Sequence, residues 1–299
     1  MELFTMLVNP DAIDAERTCK ALRQAAEAEA GKDLVSVRCV PVPEGTAILC
    51  ETGERNERKA AKLVTALSRT MAALLMDAYE HQLLDRCIHK AIGADDPEGA
   101  EEIRAQLKGG PFAPASQRRG EHDPLYERRL RKLGSAIADY LAAEKFLHVE
   151  GFLRFRAEPY LEELRDAVSY AADEWMLERQ YREFIALLKY FVYIQDAKIP
   201  AAHVVHHGNH DFTLLNERMA PIDTKQMDQF VVELIDKDIS FEDVIVSTLI
   251  SVSPGKLYVH TRTPEEPIIK TILTIFEGRT ELCASCGVCA PPLEKRSRK

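Results

Sequence analysis

Between Pro159 and Gln195 the chain carries two apolar stripes at helical spacing that do not share a phase. Leu161, Leu164, Val168, Ala171 and Trp175 recur every three or four residues, as one buried face of a helix must. Extending that face reaches Glu178 and Arg182, which cannot continue it. A second stripe, Leu177, Tyr181, Phe184, Leu188 and Phe191, starts two residues out of phase. A chain with this segment folds around a long helix. Either that helix is interrupted near Glu178, or it is one rod with two different packing partners. Pro159 suits the first helical turn, where its missing N–H costs nothing.

The flanking regions mix strand and helix patterns. At the N-terminal end, Leu3 to Val8 reads as a strand, Ala12 to Ala30 as a helix stopped by Gly31, and Val35 to Val40 and Thr46 to Cys50 as strands. A long helical stripe (Leu63, Leu67, Met71, Leu74, Ala78) runs to about Ile92 and is broken by Gly93, Pro97 and Gly99. Residues 108–123, rich in Gly and Pro, read as an exposed linker. A further helix starts at Pro124 and runs to about His148. After Pro200, residues 202–207 and 212–215 suggest a hairpin turning at Gly208-Asn209-His210-Asp211. Residues 227–235 read as a helix, Ser240 caps another, Leu257 to His260 is a strand and residues 264–277 a last helix.

These elements predict an α+β fold, mostly helical, with long central helices between small α/β units. The expected organisation is 1–107 (α/β unit plus long helix), 108–123 (linker), 124–198 (central helical region) and 199–299 (α/β unit with a cysteine-rich tail).

A net charge of −9 argues against general nucleic-acid binding, which needs a basic surface. The local basic runs Gln117-Arg118-Arg119 and Lys295 to Lys299 read as solvated loop and terminus. The first residues lack the features of a secretory signal, and no apolar run approaches the ~20 residues of a membrane span. Cys19, Cys39, Cys50 and Cys87 are far apart and read as reduced, packed thiols. The expectation is an acidic cytoplasmic protein.

One segment resembles a known family. Glu150-Gly-Phe-Leu-Arg-Phe-Arg156, Tyr160, Asp173-Glu-Trp-Met-Leu-Glu178, Tyr181-Arg-Glu-Phe-Ile185 and Leu187-Leu-Lys-Tyr-Phe-Val192 are similar to the YtxC-like family. The likeness continues through His203-Val-Val-His206 and Ser240-Phe-Glu-Asp to Leu257-Tyr-Val-His260. The resemblance implies a sporulation setting in endospore-forming Firmicutes and no mechanism. It assigns no catalytic or binding residue. The leading expectation is a non-enzymatic protein that acts through contacts with a protein partner, and a zinc metalloprotein is the alternative.

Chemistry is concentrated at the C-terminal end, where Cys283-Ala-Ser-Cys286-Gly-Val-Cys289 places three thiols at two-residue spacing. Successive thiolates at that spacing converge on one metal ion, and Cys-x-x-Cys-Gly has the form of a zinc knuckle. The fourth donor is absent from the tail; His260, or a histidine of the hairpin, would complete a zinc site. An iron–sulfur cluster is disfavoured because the run of four cysteines is not completed. A dithiol redox pair and a tail of incidental thiols are the other readings.

His203, His206, His207 and His210 look like a site but are not one by themselves. On a strand His203 and His207 share a face yet stand about 13 Å apart, and His206 points the other way. Asp173, Glu174, Glu178, Arg182 and Glu183 read as half-buried ion pairing, since the Glu-x-x-His pattern of carboxylate-bridged metals is missing. Arg154 and Arg156 read as a solvated face. Phosphate-loop, dinucleotide, Gly-x-Ser-x-Gly and His-Glu-x-x-His signatures are all absent, which favours a non-enzymatic protein. An enzyme of unidentified reaction rests only on chain size.

Overall fold

The computed structural model describes residues 1–31, 34–109, 112, 123–208, 211–222, 241–283, 286, 287 and 289. The helix expected at 227–235, the capping Ser240, His210 and the two basic runs lie outside the described residues. The chain forms two compact units, residues 1–177 and 178–299. As the sequence patterns require, the fold is α+β and mostly helical, with a four-stranded sheet towards each end.

The first unit begins with β1 (Glu2–Val8), α1 (Ala15–Ala30), β2 (Val35–Val42) and β3 (Gly45–Thr52). Asp14 starts α1 by accepting the Arg17 N–H, and Gly31 ends it at φ 86°, a conformation that favours glycine. The helix α2 (Glu57–Ile92) follows, capped by Asn56, and then α3 (Pro97–Gly109), α4 (Pro124–Ala143), β4 (Phe146–His148) and α5 (Val149–Phe155). The sheet order is β2-β3-β1-β4, antiparallel except for the parallel β1–β4 pair. Three of these elements were not expected. Pro97 begins α3 rather than breaking a helix, because a first-turn proline gives up no helical hydrogen bond. The helix from Pro124 ends at Ala143, and the residues after it form β4 and α5.

The helix α6 (Glu158–Ile194) is continuous, and the boundary between the units falls within it. Its first stripe behaves as read: Leu164, Val168, Ala171 and Trp175 are buried in the core of the first unit. Its second stripe does so only at Leu188. Ile185, Leu188 and Val192 face the core of the second unit, whereas Tyr181, Phe184 and Phe191 are exposed. Spacing alone places the burying face one residue early at Phe184 and Phe191, whose successors Ile185 and Val192 pack on that core. The helix breaks nowhere near Glu178.

The core of the first unit also encloses a polar group with no sequence signature. Glu80, Arg129 and Tyr160 are all buried. The Tyr160 hydroxyl donates to Glu80 Oε2 at 2.9 Å, Arg129 Nε lies 3.3 Å from the same oxygen, and Phe112 covers the guanidinium at 4.1 Å. Burial and the adjacent carboxylate push the Tyr160 hydroxyl well above the usual tyrosine range. The carboxylates singled out on α6 are exposed instead: Glu174 accepts from Gln106, and Glu183 pairs with Arg179 at 3.0 Å. The half-buried ion pairing expected there is carried by Glu80–Arg129, because α6 turns its charged face to solvent. Arg154 and Arg156 are exposed.

The second unit contains β5 (Ile199–Gly208), β6 (Asp211–Asn216), α7 (Phe241–Val252), β7 (Pro254–His260), α8 (Pro267–Ile275) and β8 (Thr280–Cys283). Its sheet order is β6-β5-β7-β8; β5–β6 is antiparallel, and β5–β7 and β7–β8 are parallel. Ala202, Val204, Leu257 and Val259 alternate onto one face and pack in a core with Leu249 of α7 and Ile269 and Ile272 of α8. No helix among the described residues is long and apolar enough to cross a membrane.

Cys19 and Cys39 are joined in a disulfide, with Cα atoms 6.6 Å apart. That corrects the expectation of four packed reduced thiols. α1 packs against β2 and brings together residues 20 apart in sequence, a proximity that spacing does not reveal. Alkylation in denaturant should therefore label five of the seven cysteines before reduction and all seven after it. Seven labelled without reductant would show that the bond is not made.

Trp175 gives a second check. A methyl on Gly99 would stand 2.4 Å from Trp175 Cζ2, while the indole N–H donates to Glu102 at 2.8 Å. Gly99→Ala, which helps an open helical position by about 1 kcal/mol, should here destabilise the first unit by about 1–3 kcal/mol through overpacking. Urea unfolding followed by the emission of this single tryptophan reads the effect; a gain in stability would mean that α3 does not press on Trp175.

Candidate metal centre

The face of the second sheet opposite its helices is built by strand alternation and register. β7 sits between β5 and β8, with Val205 opposite His260 and His260 opposite Cys283. Residues of one register row point to the same face of a sheet, so Val205, His260 and Cys283 share the face not covered by α7 and α8. Cys286 and Cys289, which follow β8, lie over it. Cys286 and the fully buried Cys289 pack on Val205 together with Cys283 and Leu215.

The result is a cluster of four donors: His260, Cys283, Cys286 and Cys289 each offer one ligand atom, all within 4.8 Å of one another. Cys286 Sγ lies 3.5 Å from Cys289 Sγ, and Cys283 Sγ 4.0 Å from Cys289 Sγ. The His260 atom nearest a thiol is Nδ1, 3.8 Å from Cys286 Sγ. The Cys286 backbone N–H donates to Cys289 Sγ at 3.1 Å, the kind of contact that offsets negative charge on a thiolate. Gly287 does not supply this contact, and a side chain there would meet nothing within 4 Å. The Thr261 N–H holds the Cys283 carbonyl at 3.1 Å and ties the start of the tail to the end of β7.

Electrostatics at Cys283 and His260 favour their uncharged forms. Burial, and then the two neighbouring thiols, push Cys283 up to about 11. Burial lowers both His203 and His260, the latter further because of His203, so the neutral imidazole, which is the ligand form, is favoured.

The other histidines are used differently. His206 points into the helix-covered face, with Nδ1 at 2.9 Å from Thr261 Oγ1, Nε2 at 3.3 Å from Glu266 and its ring against Phe212. His207 Nε2 lies 3.0 Å from Thr213 Oγ1. His203 Nδ1 contacts His260 Nε2 at 3.0 Å. None of these three belongs to the four-donor group, in keeping with the strand geometry. What sequence reasoning missed was β8, a four-residue strand with no apolar run to announce it. The only signal was Gly278 followed by Thr280-Glu-Leu-Cys283.

Comparison with known proteins gives a family without a chemistry. The family model described as the YtxC-like family matches residues 65–281. The uncharacterized protein YtxC of Bacillus subtilis (strain 168) is 28% identical over 162 residues, 54% of this chain and 56% of that protein. The chain thus spans little more than half the length of that relative. No solved structure matches. The family match ends at residue 281, two residues before the first of the three cysteines.

The buried support on the far side of β7 can be tested separately from the cysteines. Thr261 is fully buried, and its hydroxyl accepts the Thr263 N–H at 3.0 Å while contacting His206. Thr261→Val should cost about 1–3 kcal/mol by removing that partner from buried polar groups. Faster hydrogen exchange of the β7 amides is the measurement; unchanged protection would assign the hydroxyl no supporting role.

Proposed function

The chain belongs to the YtxC-like family, and within it we propose a metalloprotein whose second unit is held closed by one zinc ion on Cys283, Cys286, Cys289 and His260. The convergence of those four donors within 4.8 Å, from two strands and a tail, carries the reading. Zinc bonds of about 2.3 Å to sulfur and 2.0 Å to nitrogen at tetrahedral angles put donors roughly 3.5–3.8 Å apart. The contacts of 3.5, 3.8 and 4.0 Å bracket that range. Three thiolates and an imidazole suit zinc better than hard cations. A cation also reverses the local proton balance, stabilising the Cys283 thiolate that burial disfavours.

The role that follows is structural rather than catalytic. Four protein donors leave no position for water or substrate, as in closed zinc sites. An iron–sulfur cluster is the lesser alternative, because its ligands are shared between separate irons and number four cysteines in the common types. The zinc would pin the tail to β7 and β8, where the small Val205 cluster offers little apolar area of its own.

In this reading the protein serves sporulation through contacts with another protein, not through a reaction. The family resemblance supports the setting. The contact role is supported by Phe184, Leu187, Tyr190 and Tyr193, which α6 leaves exposed at 55, 63, 61 and 81%. Runs of large apolar side chains on a surface commonly mark interaction sites.

Protein purified anaerobically with reductant and no added metal should contain one equivalent of zinc by elemental analysis, and Cys286→Ala should lose it. Absence of zinc from the wild-type protein overturns the reading, and visible absorbance with iron would replace it by the cluster. The contact role is tested in an endospore-forming host: a Leu187→Asp/Tyr190→Asp variant with normal zinc content should fail to restore heat-resistant spore yield to a deletion strain. Full restoration would exclude that surface.

A further inference from the structure

An imidazole that ligates a metal through one nitrogen carries its proton on the other, and that N–H needs an acceptor if the ring is to stay in place. His260 turns Nδ1 towards Cys286 Sγ, at 3.8 Å, and Nε2 towards His203 Nδ1, at 3.0 Å. The His260 ring is 3% exposed, so water is a poor substitute acceptor. From this arrangement, and resting on the zinc reading above, we propose that His203 is the positioning residue of the site. Its Nδ1 accepts the Nε2–H of His260 and so holds His260 with Nδ1 directed at the ion.

The register of the sheet makes this pairing specific to His203. On β5 it lies opposite Tyr258 of β7, two residues before His260. Its ring stacks on that of Tyr258, 4.9 Å away at 17°, and lies nearly parallel to that of His260, 5.3 Å away at 18°, the spacing of two rings that meet edge to edge through their nitrogens. The stack fixes the plane of His203, and the strand fixes its distance, so its Nδ1 lone pair has one direction available. His203 then carries its own proton on Nε2. His206 cannot take this place, because alternation along β5 sends it to the helix-covered face, and His207 is engaged with Thr213. His203 is thus a partner of a ligand rather than a ligand, and it lies outside the group of four donors.

Three variants and two spectra test the assignment. His203→Phe keeps an aromatic ring against Tyr258 but removes the acceptor; zinc affinity, measured by chelator competition, should fall roughly 10–100-fold. His203→Asn, whose Oδ1 sits where Nδ1 does, should recover most of it. Zinc stoichiometry should stay at one in both. In the cobalt-substituted His203→Phe protein the thiolate charge-transfer and d–d bands should remain those of the wild type, because the ligand set is unchanged. In the wild-type zinc protein, long-range 1H–15N correlation should show His260 metal-bound at Nδ1 and protonated at Nε2, a result that does not depend on any variant folding. Equal affinity of wild type and His203→Phe, ligation of His260 through Nε2, or altered cobalt bands each overturn the proposal while leaving the zinc site standing. A wild-type protein without zinc that also lacks zinc as His260→Ala overturns both.

Discussion

The parallel pairing of β7 with β5 on one side and β8 on the other fixes most of what matters in the second unit. Strand alternation leaves each residue of β7 only one face, and the register leaves it only one row. Leu257 and Val259 therefore go under the helices, while Tyr258 and His260 go to the other side. A slip of one residue would bury His260 among Ile269 and Ile272 and expose Val259. The cost of both errors together is what makes the register firm: the apolar side chains of the helical face hold the strand, and the candidate site takes its geometry from them.

The same logic explains why the site is supported from both sides of the sheet. Thr261, at the end of β7, is buried on the helical side, where it meets His206, and its backbone N–H reaches across to Cys283. The chain leaves β8 at that point, so the cysteine tail starts from a fixed position rather than from a free end. The three thiols lie beside a small apolar patch that adds little burial of its own. A bound cation would supply the attraction that this corner of the unit otherwise lacks, and His203 would transmit the rigidity of β5 to the one nitrogen donor.

In the first unit the organising element is α6, whose early stripe joins the core while its later residues belong to the second unit. Trp175 and Leu164 were legible as core residues because large apolar side chains at helical spacing have few other uses. The Glu80–Arg129–Tyr160 group was not, since each member comes from a different helix and none stands in a patterned neighbourhood. A buried carboxylate announces itself only when its partners are known. Tyr181, Phe184 and Phe191 show the opposite limit: the spacing said that they share a face, but which face a helix buries depends on where its neighbour lies.

That α6 runs unbroken through Glu178 was decided by the structure; the sequence by itself determined the fold class, the early buried stripe of α6, the alternation that separates His203 from His206, and the three thiols that need a fourth donor. Those follow from local stereochemistry and from short repeats of residue type, which act over a few residues. Tertiary structure alone decided that Cys19 meets Cys39, that a four-residue strand lies beside β7, and that, among the described histidines, His260 joins the thiols. Each of these is a pairing between segments far apart in the chain. Such pairings are set by which apolar faces bury together, and no single segment carries that information.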